Sequence, residues 1–212
     1  VLENRNSIEI RPSYLEVMFG SQCNLACTYC IADVSSSIYQ EMTKFGPYDV
    51  EDYTHRMPRF SLRPFERDNN PYIESFWKWF PDIAEGLRVL RVTGGEPLLN
   101  ENTFQLLGYF LEKPAPQLTL AINTNMTMPQ KIRERFTAAV NNIYHYQAVN
   151  NFELYVSIDG YGEQAEYMRS GLQFHIFQQN VEAFIQQFPH TSLVFMCTFN
   201  ILSIPSYKKL LE

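Results

Sequence analysis

The chain has 212 residues, 45% of them hydrophobic and 15% aromatic, which is enough apolar surface for one sizeable core. Its 17 Lys and Arg against 23 Asp and Glu give a formal net charge of −6, which disfavours a nucleic-acid partner gripped through its phosphates. Because no signal peptide or membrane span is evident, we expect a cytoplasmic protein without a membrane partner.

Five short segments rich in β-branched and aromatic residues are predicted as strands, at 14–19, 87–93, 118–123, 152–158 and 193–199. Helices are predicted at 71–80, 102–112, 127–143 and 174–188, the third capped by Thr127 with Pro129 in its first turn. Strands that alternate with helices predict an α/β fold with parallel strands and right-handed crossovers, either a barrel or an open sheet.

Residues 31–70 form a long, poorly periodic stretch in which no element is predicted. A structureless segment of this length is unusual in a compact domain, and it is usually functional or partly disordered. A solvated loop is the simplest interpretation, but the segment could also clamp a peptide, an anionic small molecule or a later part of its own chain. It combines cationic with aromatic residues: Tyr48, Tyr53, His55, Arg56, Arg59, Phe60, Arg63, Phe65 and Arg67.

The stretch CNLACTYC, residues 23–30, places Cys23, Cys27 and Cys30 in a C-x3-C-x2-C run after the first predicted strand, far from the remaining cysteine, Cys197. Without a secretory signal, metal or redox chemistry explains this run better than disulfides do. Structural zinc and ferredoxin clusters both take four ligands. Three thiolates on a 4Fe-4S cluster instead leave one iron free to bind a chelating small molecule. Chance proximity of three cysteines is the competing interpretation.

This cysteine run in an α/β chain resembles the signature of the radical S-adenosylmethionine (radical SAM) enzymes, and the resemblance extends from residue 14 to about residue 200. It implies a radical SAM core domain over 1–212, truncated at its C-terminus, with 31–70 as an insertion loop. The expected fold is a partial, open parallel β/α barrel with five strands, one fewer than is usual in the family. The edge of this sheet is then the strand at 193–199.

The resemblance further implies that Cys23, Cys27 and Cys30 hold a 4Fe-4S cluster whose open iron is chelated by S-adenosylmethionine. By the same resemblance, an electron from the reduced cluster is expected to enter the sulfonium of the cofactor, so that a carbon–sulfur bond breaks and the resulting 5′-deoxyadenosyl radical removes a hydrogen atom from the substrate. The electron donor is expected to be a protein such as a flavodoxin or ferredoxin.

The segment RVTGGEP, residues 91–97, ends the second predicted strand. Its adjacent glycines would let a ligand approach the backbone closely. By resemblance, Gly94, Gly95 and Glu96 form the family's GGE motif, which receives the amino group of the cofactor, and Pro97 turns the chain away. An ordinary strand-ending turn is the alternative.

The segment YVSIDG, residues 155–160, ends the fourth predicted strand, and Ser157 and Asp159 should share a face there because they are two apart. With Arg169 and Gly171 in YMRSG, it resembles the branch that carries SPASM or twitch extensions, in which the Ser and the Arg hold the cofactor carboxylate. The planar guanidinium of Arg can donate two parallel hydrogen bonds to a carboxylate. The alternatives are helix capping by Asp159 and a surface charge at Arg169.

Three further residues have weaker signals. Tyr29 matches the family's aromatic position beside the adenine, with simple packing as the alternative. INTNMT, residues 122–127, resembles the family's TNG segment but has Met126 in place of the usual Gly. Asn200 either faces the cofactor or closes a turn.

These features predict an enzyme that uses a 4Fe-4S cluster and S-adenosylmethionine. The SPASM and twitch resemblance favours a peptide or protein substrate, and a small molecule or nucleobase is the runner-up. Two other functions stay open: an iron–sulfur carrier or redox sensor that uses Cys197 as fourth ligand, and a partner-binding homologue without chemistry. Further cysteines for auxiliary clusters are not among these residues.

Overall fold

The computed structural model describes residues 11–48 and 70–212, so the predictions for the cationic and aromatic residues between 53 and 67 lie outside the described residues. Within the described ranges, every helix is too short or too polar to cross a lipid bilayer. In chain order the elements are β1 (Tyr14–Met18), β2 (Ala26–Cys27), α1 (Ser36–Phe45), α2 (Pro71–Ala84), β3 (Val89–Thr93), a 3-10 helix (Pro97–Leu99), α3 (Glu101–Glu112), β4 (Ala115–Thr124), α4 (Gln130–His145), β5 (Val149–Ser157), α5 (Glu163–Met168), β6 (Arg169–Ser170), α6 (Phe174–Gln187), β7 (Ser192–Met196) and α7 (Ile204–Leu211).

The central sheet has the strand order β1-β3-β4-β5-β7, and every neighbouring pair in it is parallel. The sheet therefore winds in one direction, as a barrel does, without the reversal of a doubly wound sheet. This confirms the predicted α/β fold, a partial and open parallel β/α barrel with five strands. It also confirms that β7 is an edge strand, where Phe195 is 51% exposed.

The two faces of the sheet differ because side chains alternate along each strand. One face packs beneath the helices and consists of fully buried aliphatic residues, among them Leu90, Val92, Leu120, Ile122, Leu154 and Val156. The opposite face is polar. There the Arg91 guanidinium lies 4.3 Å from the centre of the Tyr155 ring, and its Nε donates to Asn123 Oδ1 at 2.9 Å.

The structure adds the short elements β2, α5, β6 and the 3-10 helix to the predicted ones, and it corrects the prediction at two places near the cysteine loop and α4. Helix α1 lies inside the stretch 31–70, where no element was predicted, and Ser35 caps it by accepting the N–H of Ile38 at 3.4 Å. Helix α4 begins only at Gln130, with Pro129 at its N-cap, so the prediction that Thr127 caps this helix was wrong. The Thr127 hydroxyl instead donates to Asn125 Oδ1 at 2.7 Å.

Candidate cofactor-binding site

A cavity of about 200 Å³ opens at the carboxyl ends of the parallel strands, where sites in this architecture are built. Cys23, Cys27 and Cys30 all line it. So do five of the other predicted site residues, namely Tyr29, Gly94, Gly95, Ser157 and Arg169. The topology therefore brings together residues that lie as far apart in sequence as Cys23, after β1, and Arg169, in β6.

Cys197 lies outside the lining of this cavity, although its two neighbours, Met196 and Thr198, belong to it. Strand β7 ends at Met196, and the partly buried Cys197 just beyond it does not share the cavity of the other three thiols. The geometry thus gives no support to Cys197 as a fourth ligand. Asn200 accepts the N–H of Leu202 at 2.9 Å, as a turn residue does.

The backbone of the first cysteine is fixed by the start of α1. Ser36 Oγ accepts the N–H of Cys23 at 3.0 Å, and Ser37 Oγ donates to the Cys23 carbonyl at 2.7 Å. The contacts of these two serines with Cys23 were not predicted from the sequence. The signal that could have revealed them is the serine run at 35–37, which is typical of a helix N-terminus.

Gly94 and Gly95 allow the cysteine loop to pack directly on the end of β3. A Cβ on Gly94, where φ is +123°, would lie 2.7 Å from the Gly20 carbonyl oxygen, and one on Gly95 would lie 2.6 Å from the Ser21 carbonyl oxygen. The N–H of Glu96 also donates to the Gln22 carbonyl at 2.7 Å. The glycines were predicted to let a ligand come close to the backbone. In the structure, the backbone of residues 20–22 occupies that close position.

Glu96 does not line the cavity, because its side chain is buried beneath the glycine pair. Oε1 accepts the N–H of Leu98 at 3.1 Å, which caps the 3-10 helix, and Oε2 accepts the N–H of Asn125 at 2.7 Å. Burial raises the pKa of Glu96 to about 7, although these two N–H donors oppose the shift. Cofactor binding by Glu96 stays a prediction, and its contacts here are structural.

Asp159 is fully buried and is also absent from the cavity lining. The expectation that it shares a face with Ser157 was wrong, because β5 ends at Ser157 and the chain turns beyond it. Nor does Asp159 cap a helix, since α5 begins after Gly162. The carboxylate instead accepts three bonds: from Tyr29 Oη at 2.7 Å, from Arg169 Nε at 2.7 Å and from the N–H of Thr198 at 2.8 Å.

Arg169 is only 5% exposed, so its interpretation as a surface charge was wrong. Residue 169 pairs with Cys27 in the two-residue antiparallel ladder of β2 and β6. Gly171, with φ at +96°, lets the chain turn against the Asn24 carbonyl, which would lie 3.2 Å from an added Cβ. This turn fixes the arginine against the cysteine loop.

The aromatic residue beside the third cysteine has a polar partner as well as packing contacts. Tyr29 donates to Asp159, and burial raises the pKa of its phenol, which keeps the donor protonated. The Arg169 guanidinium lies 5.6 Å from the ring centre. Contact of Tyr29 with an adenine stays a prediction.

Met126, which stands where the resembled segment has Gly, adopts φ of +56° and is 1% exposed. Its carbonyl accepts Asn180 Nδ2 at 2.7 Å. The chain therefore keeps the left-handed turn that a glycine would adopt easily, and it fills the space with a buried side chain.

The three thiols line one cavity, where they could serve as the ligands of a 4Fe-4S cluster. In the described ranges, no group of three His, Cys, Asp or Glu side chains is close enough to hold one metal ion. Cys23, Cys27 and Cys30 would each bind a different iron of such a cluster. Burial raises the pKa of all three thiols, that of Cys23 to about 11, so a bound cluster must displace their protons.

Comparison with known proteins gave consistent results. The profile of the Radical SAM superfamily matches residues 17–206. A GTP 3',8-cyclase of Sulfurimonas denitrificans is 29% identical over 125 residues, which cover 57% of this chain and 31% of the relative. Another, of Syntrophomonas wolfei, is 25% identical over 132 residues, 62% of this chain and 32% of the relative. The chain thus spans about a third of the length of these curated relatives.

Among solved structures, a polyhistidine-tagged anSMEcpe with bound AdoMet superposes with a TM-score of 0.52 at 18% identity, over 88% of this chain and 42% of that one. This likeness supports the fold. Because the family profile covers nearly the whole sequence, the chain belongs to the Radical SAM superfamily, a family of enzymes whose cofactors are a 4Fe-4S cluster and S-adenosylmethionine.

Proposed function

We propose that this chain is the radical-generating core of an enzyme in which Cys23, Cys27 and Cys30 hold a 4Fe-4S cluster and the adjoining cavity takes S-adenosylmethionine. The observation that carries the proposal is the single cavity that these three thiols share with Gly94, Gly95, Ser157 and Arg169. When bound, the two cofactors supply an organic radical that removes hydrogen from a substrate.

The residues of the cavity would then have separate tasks. Arg169 brings a buried positive charge that suits the cofactor carboxylate, and Ser157 adds a hydroxyl at the end of β5. The glycine pair exposes backbone to the cavity, where carbonyl oxygens can accept bonds from an amino group. Leu25 and Pro97 add apolar side chains to the lining.

The polar face of the sheet adjoins this cavity and is where we place the substrate. Asn123 belongs to both regions, because it lines the cavity and accepts a bond from Arg91. Glu16 and Glu153 lie on the same face, each held by a tyrosine hydroxyl two residues away. The face thus offers charge of both signs to a polar molecule.

For the substrate class, the two candidates have different support. The SIDG and YMRSG segments resemble the SPASM and twitch branch and favour a peptide or protein. The curated relatives are named GTP 3',8-cyclases and favour a small molecule. We propose the small-molecule class, because the support for a peptide rests on two short segments, whereas the likeness to the cyclases extends over 125 and 132 residues. The electron donor is proposed to be a cytoplasmic flavodoxin or ferredoxin.

The test is anaerobic reconstitution with iron and sulfide, followed by incubation with S-adenosylmethionine and dithionite and chromatographic measurement of 5′-deoxyadenosine. We expect 5′-deoxyadenosine from the wild type and none from Cys27→Ala. A faster release with GTP than with a mixture of synthetic peptides supports the small-molecule class, and the reverse result supports a peptide. An intact cluster that yields no 5′-deoxyadenosine would refute the proposal in favour of an electron carrier.

A further inference from the structure

A positive charge lies directly against one of the three thiols. Arg169 Nη1 donates to Cys27 Sγ at 3.8 Å, and the two residues are Cα partners in the ladder of β2 and β6. The N–H of Thr28 also donates to the Met168 carbonyl at 2.9 Å, which ties the same two segments together. Because Cys27 and Arg169 are both buried, water screens this contact little.

The arginine is held in this place by a carboxylate on its far side. Asp159 Oδ2 accepts Arg169 Nε at 2.7 Å, and the side chains of Asp159 and Arg169 are 0% and 6% exposed. Asp159 is itself fixed by Tyr29 and by the backbone of Thr198. A carboxylate with three donors is rigid, so it sets where the guanidinium points.

We propose that Asp159 is a positioning residue that aims Arg169 at the Cys27 sulfur, and that this contact raises the reduction potential of the cluster. The inference rests on the proposed function. A cationic N–H donor stabilises negative charge on a ligand sulfur, and a reduced cluster carries one more electron than an oxidised one. The contact therefore favours the reduced form that cleavage of the cofactor requires.

This assignment explains why Asp159 is buried behind the cavity wall, bonded to three residues that line the cavity, without lining it itself. It acts through another residue and needs no contact with the cofactor. Removing its negative charge would by itself raise the potential of a nearby cluster. Releasing Arg169 from the sulfur would lower the potential. The sign of the change in Asp159→Asn therefore separates a positioning role from a through-space charge.

The experiment is a potentiometric titration of the reconstituted cluster, followed by electron paramagnetic resonance of the reduced form, in wild type, Arg169→Gln, Arg169→Lys and Asp159→Asn. The control is Arg133→Gln, which removes an arginine that pairs with Asn180 of α6, outside the cavity lining. We expect a lower potential in all three test variants, with Arg169→Lys closest to wild type because it keeps the charge and loses the fork. The control should match the wild type.

An unchanged potential in Arg169→Gln would overturn the inference, and a raised potential in Asp159→Asn would overturn the positioning role. If Asp159→Asn does not fold, Arg169→Lys decides, because a potential equal to that of wild type means that an aimed guanidinium is not needed. Iron and sulfide are measured in the same wild-type samples. A wild type without a cluster contradicts the proposed function, whereas intact clusters with equal potentials contradict only this inference.

Discussion

Glu96 and Asn125 join the ends of two neighbouring strands, because the buried carboxylate of Glu96 accepts the backbone N–H of Asn125 at 2.7 Å. The other carboxylate oxygen accepts the N–H of Leu98. One side chain thus satisfies two buried backbone donors. These hydrogen bonds stabilise the protein without a bound cofactor.

Replacement of Glu96 by Gln should destabilise the cofactor-free protein. An amide has one acceptor oxygen, so its NH₂ group must face one of the two backbone donors, and leaving that donor unpaired costs about 1–3 kcal/mol. The measurement is urea unfolding of the apoprotein followed by circular dichroism.

The matched control is Glu134→Gln on the exposed surface of α4, where the side chain accepts a bond from Gln130. We expect a change within about 0.5 kcal/mol there. Equal stability of wild type and Glu96→Gln would show that these two hydrogen bonds do not stabilise the apoprotein.

Gly95→Ala should prevent cluster assembly. The added methyl group would clash with the carbonyl oxygens of Ser21 and Gln22, which are backbone atoms and cannot rotate away, so the cysteine loop must move. Iron and sulfide content after anaerobic reconstitution measures the effect.

The control variant is Gly108→Ala. Gly108 lies inside α3, and a Cβ added there would have no other atom within 4 Å. That variant should assemble its cluster fully and gain about 0.5–1 kcal/mol in stability. Full assembly in Gly95→Ala would mean that the loop does not need this close contact.

Each of Cys23→Ala, Cys27→Ala and Cys30→Ala should abolish the cluster, whereas Cys197→Ser should retain it, because only the first three thiols line the cavity. Visible absorption and iron analysis distinguish the variants. Loss of iron from Cys197→Ser would support the carrier with four cysteine ligands, and stoichiometric zinc without iron in protein prepared without oxygen would exclude the cluster.

Met126→Gly should destabilise the protein although it relieves a left-handed backbone. The strain is of order 1 kcal/mol, while removal of a fully buried Met side chain costs about 2–5 kcal/mol. Gln147 is the second non-glycine residue with positive φ among residues 11–48 and 70–212, and it is exposed at φ of +50°, so Gln147→Gly should stabilise by up to about 1 kcal/mol. Denaturant midpoints of both variants check the prediction, which fails if Met126→Gly is the more stable.

Arg169→Ala should weaken binding of S-adenosylmethionine roughly thirtyfold, the equivalent of about 2 kcal/mol for a charge-assisted pair. It should also lower the stability of the apoprotein, by about 3–5 kcal/mol, since Asp159 is left as a buried charge without its cation. Calorimetric titration at equal iron content and unfolding of the apoprotein measure the two effects separately. Unchanged affinity would leave Ser157 as the candidate for the carboxylate.

The strands, their parallel order and the cysteine cavity could be predicted from sequence, because alternating β-branched segments and closely spaced thiols are local signals. The buried pair of Asp159 and Arg169 could not be predicted, since a sequence does not reveal which side chains turn inward beyond a strand end. Helix α1 was missed for a related reason: its apolar residues are few, and only Ile38 and Met42 are buried.

The separation in sequence between Cys27 and Arg169, 142 residues, has a consequence for biogenesis. At about 5–20 residues per second, a ribosome needs roughly 7–30 s to make the arginine after the thiol. Until residue 159 is made, the nascent cysteine loop lacks both its cation and the buried carboxylate that aims it. We therefore expect iron and sulfur to be delivered to the finished fold, and a nascent chain stalled before residue 159 to load its cluster poorly.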